Sequence, residues 1–572
     1  MTDFSAMRPS LKKNRINILI FICSVVVSFS VYLATLAPSI YWGDGIELAT
    51  VCATLGIAHP TGYPLFTLIG HIFCQIFNHN PALGTNLMCA LFGALAVGFF
   101  FLNLNLALQL LPANYFLHEH YRQAAALAGA FLIAFSRTFW FHATTTEVYA
   151  LHIFFMALII QLFLKHITER REGYLMGMMG LWGLAFSNHM LSLTLAPLIV
   201  IAIANHIAEK GKSKVLIISC LLFAAGLSPY IYLPIRAAQS PALNWGNPLS
   251  LKNFIWVVSG GEFKKFQFMS FLPGIPFTVE TFKWHVSQRL YFFGKWIVSE
   301  FYEFPFFTKT LKLVCLCALM VVWAWGTGIL FRYKKSVGAA VLGAFVFSLL
   351  MSLLYNIPDI EPYFLACLPL IIISALFGLI GLLHLFEIYF CGRKVNFIIY
   401  PLFILPLISL LSLYHFEDKS RHLDAFNYGL NVCRKAPHQS LVITQSDNDI
   451  YVLWYMQKAL GMREDLTIVG SNFIHSGWYA AYFKDAPPNS PLITIRQTDV
   501  PESKEAFIND LMSWIIQPNY KKLPIILTWT DAYLELFYDI RPFEKALDDK
   551  AQQRVPNDYR PFLPQPYLYM IH

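Results

Sequence analysis

Residues 16–47 read INILIFICSVVVSFSVYLATLAPSIYWGDGIE. From Ile16 to about Pro38 there is no charged side chain, and the run is long enough for a helix to cross a hydrocarbon layer of ~30 Å. Arg8, Lys12, Lys13 and Arg15 precede it. The run is too long for the apolar part of a signal peptide and has no small-residue cleavage site, so it reads as a retained first transmembrane helix. The turn after it, Trp42-Gly43-Asp44-Gly45-Ile46-Glu47, sets two carboxylates just beyond the end of the span. An apolar run followed by an acidic turn at the boundary is a plan that the rest of the chain repeats.

The 572 residues are 56% hydrophobic and 13% charged, with 50 Phe and a mean hydropathy of +0.52. A soluble domain carries roughly 25% charged residues, so this chain is too apolar for water. Apolar stretches recur at 16–38, 85–110, 123–141, 147–165, 173–188, 190–207, 214–235, 308–331, 337–355, 363–388 and 396–414. These predict about eleven spans in a polytopic α-helical membrane domain over 1–415. The net charge of +8 does not point to nucleic acid, because the basic residues sit in short clusters between apolar runs. Those clusters (Arg8–Arg15, Arg122, Lys165 with Arg170 and Arg171, Lys210–Lys214, Arg332–Lys335 and Arg393–Lys394) all fall on one side of the alternating spans. The positive-inside rule therefore puts the N-terminus in the cytoplasm and the acidic turns and the C-terminus on the exoplasmic side. Of the 10 Cys, only Cys433 lies in the polar tail; the cysteines read as packing residues without a disulfide framework.

Two exoplasmic stretches read as interfacial: Pro64–Phe77, and 236–305 with Lys264, Lys265, Trp284, Tyr291 and Trp296. From about Glu417 the composition changes. Strand-like runs (Ser440–Thr444, Leu466–Val469, Leu492–Ile495, Pro524–Thr528) alternate with helix-like runs (Ile450–Leu460, Lys504–Ile516, Ala532–Phe537). Residues 416–572 are thus expected to form a soluble α/β domain on the exoplasmic side, with no phosphate-binding glycine loop.

Polar motifs gather on that same side. Asp44 lies between two glycines, which permits close approach of backbone or substrate; the plainer reading is a helix cap with an exposed acid one turn on. Gly56-Ile57-Ala58-His59-Pro60-Thr61-Gly62-Tyr63-Pro64 follows as a constrained turn. Glu147 opens a helix, where an acid is favourable in any case. Asn188-His189 sits at a hairpin, and Arg236, before Asn244-Trp245-Gly246-Asn247-Pro248, either snorkels to head groups or pairs with a phosphate. Asp359 and Glu361, flanked by prolines, form a rigid turn or a partial ligand set for a divalent cation; the set is incomplete and the cation is not favoured. A transporter would place such groups near the bilayer midplane on broken helices. Here they stand at helix ends, which suits chemistry at the membrane–water boundary.

The block Gly43-Asp44-Gly45-Ile46-Glu47 to His59-Pro60-Thr61-Gly62-Tyr63-Pro64 resembles the signature of the domain-of-unknown-function 2723 family, with Thr61 where members have a second proline. Glu147-Val148-Tyr149-Ala150-Leu151, Ser187-Asn188-His189, Tyr232-Leu233-Pro234-Ile235-Arg236, Asn244-Trp245, Asp359 with Glu361 and Tyr363, and Ser446-Asp447-Asn448 also fit. The resemblance implies a GT-C type glycosyltransferase that is protein O-mannosyltransferase-like, with its catalytic acid in the first exoplasmic loop and a polyprenyl-phosphate sugar as donor. On that reading Asp44 and Glu47 are catalytic, and Arg236, His59 and His189 face the donor phosphate. Glu147, Tyr149, Asn188, Trp245, Asp359, Glu361 and Tyr363 contact sugar or acceptor. No metal and no resident cofactor is assigned. The expected partners are the bilayer, the lipid-linked sugar and a hydroxyl-bearing protein, lipid or glycan. The alternatives are a transporter or flippase of a lipid-linked or small polar substrate, and a non-catalytic scaffold. The exoplasmic regions hold no Asn-x-Ser/Thr sequon, which favours a bacterial inner membrane with the C-terminal domain in the periplasm.

Overall fold

The computed structural model describes residues 4–112, 115, 118–211, 214–266, 278–301, 309–357, 359–391, 396–483, 490–501, 503–547 and 563–572. The side chains of Arg8, Lys12, Lys13, Lys210, Lys212, Pro358, Arg393 and Lys394 lie outside the described residues. The chain begins with ten helices: α1 Phe4–Ala34, α2 Gly45–Thr54, α3 Pro64–Ile76, α4 Pro81–Leu108, α5 Glu119–Ala134, α6 Arg137–Thr144, α7 Val148–Glu169, α8 Glu172–Phe186, α9 Ala196–Lys210 and α10 Lys214–Gly226. The later long helices are Val279–Ser299, Lys309–Tyr333, Lys335–Leu353, Cys367–Phe386 and Ile404–Glu417.

Among the described residues nine helices are long and apolar enough to cross a membrane, and the bent pair α5–α6 makes a tenth. The protein is therefore an integral, multi-pass membrane protein. The span expected at 173–188 is absent from that count because α8 has only 15 residues, roughly 22 Å of helix. Even so, the Asn188 side chain beyond its end donates to the Val148 carbonyl at 3.2 Å, so α8 and its turn return the full length of α7. The span expected at 123–141 is not straight. The backbone leaves the helix at Phe135–Ser136, and α6 departs at 65°. The freed Phe135 carbonyl accepts from Ser409 at 2.5 Å, and the bend turns Arg137 and Thr138 inward.

Burial separates inner from outer helices. The windows of α4, α7 and Glu361–Tyr389 are 67%, 78% and 83% buried, against 17% for α1. Helices Lys309–Tyr333 and Cys367–Phe386 approach at backbone contact, because Ser374, Gly378 and Gly381 repeat small residues every three to four positions opposite Gly326. α3 keeps Leu68, Ile72 and Ile76 exposed, as an interfacial helix does, and Trp284 and Tyr291 are exposed on helix Val279–Ser299. Trp296, expected at the interface, is instead buried, and its indole N–H donates to Thr138 Oγ1 at 3.0 Å. The nine cysteines whose side chains are described are all free.

After helix Asp424–Lys435 comes a five-stranded sheet: β1 Leu441–Thr444, β2 Thr467–Gly470, β3 Ile525–Leu527, β4 Ile540–Lys545 and β5 Tyr567–Ile571, in the order β2-β1-β3-β5-β4. β2, β1 and β3 are parallel, whereas β5 and β4 join antiparallel. Three of the four expected strands are present. Leu492–Ile495 is extended but unpaired as a strand, since the Asn519 side chain takes both the N–H and the carbonyl of Leu492 at 2.8 Å. The helix expected at Ala532–Phe537 is a single 3-10 turn, Leu534–Leu536. β4 carries Arg541, Pro542, Glu544 and Lys545, a polar edge strand that does not read as β in sequence.

A side chain at Gly378 would collide with the Val322 carbonyl. Gly378→Val is expected to destabilise the bundle by about 1–3 kcal/mol, seen as a lower Tm in detergent, while Gly328→Ala, at a glycine with open space around it, leaves the Tm within error.

Candidate active site

α4 gathers the pieces of the site. Asn86 donates to the carbonyls of Ala37 and Ser39 at 2.8 and 3.0 Å and accepts from Thr146 Oγ1 at 2.6 Å. The loop after α1 and the turn before α7 are thereby drawn together. Gly45 then meets the Thr146 carbonyl so closely that a Cβ would collide with it, so the second glycine of the Gly43-Asp44-Gly45 turn is a steric requirement. Asp44 occupies the cap position of α2, but its side chain makes no capping hydrogen bond. Its carboxylate is instead 47% accessible and lines a cavity of about 1720 Å³. The helix-cap reading of Asp44 does not hold.

Glu47, one turn on, is fully buried. Its carboxylate accepts the His59 backbone N–H at 2.9 Å and meets His59 Nδ1 at 2.5 Å. The other ring nitrogen, Nε2, lies 4.0 Å from Asp44 Oδ2 and 3.1 Å from the Tyr63 hydroxyl. Burial by itself lowers the His59 pKa, but the charge and hydrogen bond of Glu47, with Asp44 and Glu147 adding to them, lift it to about 9. His59 is thus an imidazolium at neutral pH. Asp44 departs from an ordinary carboxyl: desolvation by the surrounding cavity walls raises its pKa, His59 pulls it down, and Asp359, Asp447 and Glu47 push it up again, to about 7. A carboxylate with that proton affinity suits a general base.

Glu147 lines the same cavity, and burial, then the charge of Asp44, holds its pKa well above the usual carboxylate value. Tyr149, Asp359, Glu361 and Tyr363 also line it. Five expected residues do not. Arg236 turns its guanidinium to the carbonyls of Leu55 at 2.7 Å and Thr54 at 3.3 Å, and to Gln239, closing the C-terminus of α2 where a cation is favourable. His189 is stacked on Tyr63 at 5.6 Å and accepts from the Leu191 N–H at 3.0 Å; burial holds its pKa well below 6.5, so it is neutral. It supports the tyrosines behind the cavity wall. Asn188 is spent on Val148, and Trp245 is stacked on Trp478 at 4.4 Å. Glu47 does not line the cavity either; it holds His59, and is a positioning residue.

The cavity has cations that sequence reading missed: Arg137, Lys295 and Lys419. Arg137 follows the α5–α6 bend, 3.8 Å from Glu417. Lys419 is buried, 2.8 Å from Glu417 and over the Phe141 ring at 4.4 Å, and burial lowers its pKa. Lys295 is exposed to the cavity and adjoins Trp296, which is bonded to Thr138 beside Arg137. Past Lys295 the wall turns apolar, with Leu290, Tyr291, Leu313 and Leu316. Arg137 opens a helix and Lys295 sits on an amphipathic one, so neither stands out before the 65° bend is known. Among the described residues no group of three or more His, Cys, Asp or Glu is arranged to hold a metal ion.

Residues 44–212 match the model of a family described as protein O-mannosyl-transferase TMEM260 N-terminal domain, and 425–528 match TMEM260-associated domain 2. Over these residues the chain is similar to protein O-mannosyl-transferases. The matching descriptions carry the TMEM260 name and not the domain-of-unknown-function label of the sequence resemblance. Protein O-mannosyl-transferase TMEM260 of Mus musculus is 32% identical over 238 residues, 40% of this chain. The Dictyostelium discoideum protein of the same name is 25% identical over 526 residues, 82% of this chain. The aligned parts span 32% and 59% of those relatives' lengths. In structure the chain is similar to ArnT from Cupriavidus metallidurans bound to undecaprenyl phosphate, with a TM-score of 0.57 at 10% identity over 97% of both chains; its apo state gives 0.52. The likeness establishes the GT-C fold.

Removing the Glu47 charge leaves burial as the dominant influence on His59. In Glu47→Gln the imidazole pKa is expected to fall from about 9 to below the ordinary ~6.5, read from histidine ring resonances of isotope-labelled protein across pH.

Proposed function

We propose that the chain is a membrane glycosyltransferase that moves a sugar, mannose by analogy with its relatives, from a polyprenyl-phosphate carrier to a hydroxyl, most directly one on a protein. The observation that carries this reading is Asp44: a carboxylate not engaged in capping, with a pKa near 7, beside a protonated His59 in a cavity whose wall runs from polar to apolar. The lipid lies along Leu290, Leu313 and Leu316, and its phosphate rests at Lys295 and Arg137, where negative charge grows as the bond breaks. These two cations take the place first expected for Arg236 and His189. Asp44 accepts the acceptor's hydroxyl proton as that oxygen bonds to the anomeric carbon. The carbon–oxygen bond to phosphate breaks with its electron pair, polyprenyl phosphate leaves, and attack from the opposite face inverts the centre through an oxocarbenium-like state. Glu147, Asp359 and Glu361 orient sugar or acceptor hydroxyls. The lipid-linked sugar is a substrate, and no resident cofactor is assigned.

The Lys/Arg pattern supports an exoplasmic site with the N-terminus in the cytoplasm. The absence of sequons supports a bacterial inner membrane and a periplasmic C-terminal domain.

Purified protein, a polyprenyl-phosphate mannose and Ser/Thr peptides test the assignment. Asp44→Asn is expected to lower kcat by ~10²–10⁴ with the Tm retained; full activity in that variant would refute it. Lys295→Ala raises the KM for the donor, whereas Arg236→Ala lowers the Tm without that effect. In the wild type, kcat/KM rises as pH passes about 7 and Asp44 loses its proton, and falls near 9 as His59 loses its own.

A further inference from the structure

The loop that carries Asp44 is held from outside the membrane domain. The Gly43 N–H donates to Asn448 Oδ1 at 2.8 Å, across 405 positions of sequence. Trp42 packs on Tyr428 at 6.0 Å between ring centres, and the Ala82 N–H at the start of α4 donates to the Tyr455 hydroxyl at 3.3 Å. Asn448 is 5% exposed, so its amide is a built contact and not a surface encounter. Its neighbour Asp447 lines the same cavity as Asp44 and is bonded to Asn472, just past β2.

Behind this pair stands the sheet. Helix Asp447–Trp454 is started by a capping box between Ser446 and Asp449. Asp449 also accepts from Thr528 Oγ1, beyond β3, at 2.8 Å. A short run of hydrogen bonds therefore leads from the soluble sheet to the Asp44 turn.

We propose that the soluble domain is a working part of the catalytic site, in which Asn448 holds the Asp44 turn and Asp447 is a positioning carboxylate that acts through Asp44. This rests on reading Asp44 as the base. Several groups face Asp44. Glu47 and His59 come from α2 and its loop, Tyr63 from the same loop, Glu147 from the start of α7, Tyr355 and Asp359 from the turn before Glu361, and Asp447 from the soluble domain. Among the described charged groups that act on Asp44, Asp447 is the one that comes from the domain outside the membrane. A like charge there makes Asp44 keep its proton to higher pH, so the soluble domain contributes to the pH at which the base is ready.

The test uses the full chain in detergent, labelled with a water-soluble carbodiimide, which reacts with protonated carboxyls. Modification of Asp44 is followed by mass spectrometry between pH 5 and 9. The wild-type midpoint is expected near 7. Asp447→Asn should lower it by about half a unit or more, and Asp447→Glu should restore it, while the Tm of both stays at the wild-type value. A midpoint unmoved in Asp447→Asn overturns the proposal, as does one that moves equally in Asp447→Glu. Asn448→Ala is expected to lower kcat at least fivefold with an unchanged donor KM; a wild-type kcat there overturns the holding role. Labelling needs no sugar transfer, so failure of the glycosyltransferase reading would show separately, as absent transfer with an intact midpoint shift.

Discussion

The buried contact between Glu47 and His59 is the constraint on which the rest of the site depends. A carboxylate with no accessible surface is costly unless it is paired, and loss of one partner of such a pair costs about 3–5 kcal/mol. Glu47 is satisfied by the backbone and the ring of one residue. The contact thus closes the loop between α2 and α3 and sets the direction of the imidazole in a single arrangement. It also makes His59 a cation next to Asp44, which keeps a third carboxylate nearby from being intolerable. The acids of the cavity, Asp44, Glu147, Asp359, Glu361 and Asp447, share it with this anchored positive charge and with Arg137, Lys295 and Lys419.

Much of this was legible in the sequence. Length and hydropathy alone predict a multi-pass helical domain followed by an α/β domain, and the Gly-Asp-Gly turn marks a place of close approach, although a helix cap reads from the same residues. Glu147, Asp359, Glu361, Tyr149 and Tyr363, each polar near the end of an apolar run, all line the cavity. The same rule also picks out Arg236, His189, Asn188 and Trp245, which do not line it. A polar residue at a helix end also satisfies backbone groups or packs aromatic rings, and sequence does not distinguish the two uses. Arg236 closes α2, His189 sits among tyrosines, and both face away from the cavity.

What was not legible depends on direction and on distance along the chain. Arg137 points into the cavity because the helix breaks at Phe135–Ser136, where nothing in the local sequence forbids a straight continuation. Lys295 and Trp296 are adjacent and both line the cavity, yet one is exposed and the other buried against Thr138. The contact of Gly43 with Asn448 joins positions that no periodicity relates. β4 was missed because an edge strand protects itself with charge, which is the pattern a loop also shows.

The join between the last membrane helix and the soluble domain has an evolutionary consequence. Lys419, immediately beyond that helix, is buried: its backbone N–H donates to the Thr35 carbonyl at 3.1 Å and its ammonium reaches Thr144 Oγ1 at 3.2 Å, beside Glu417. A joint of this kind is not an exchangeable tether. Exchange of the outer domain at this point would also require new partners at the ends of α1 and α6. The two halves are therefore expected to be inherited as one unit.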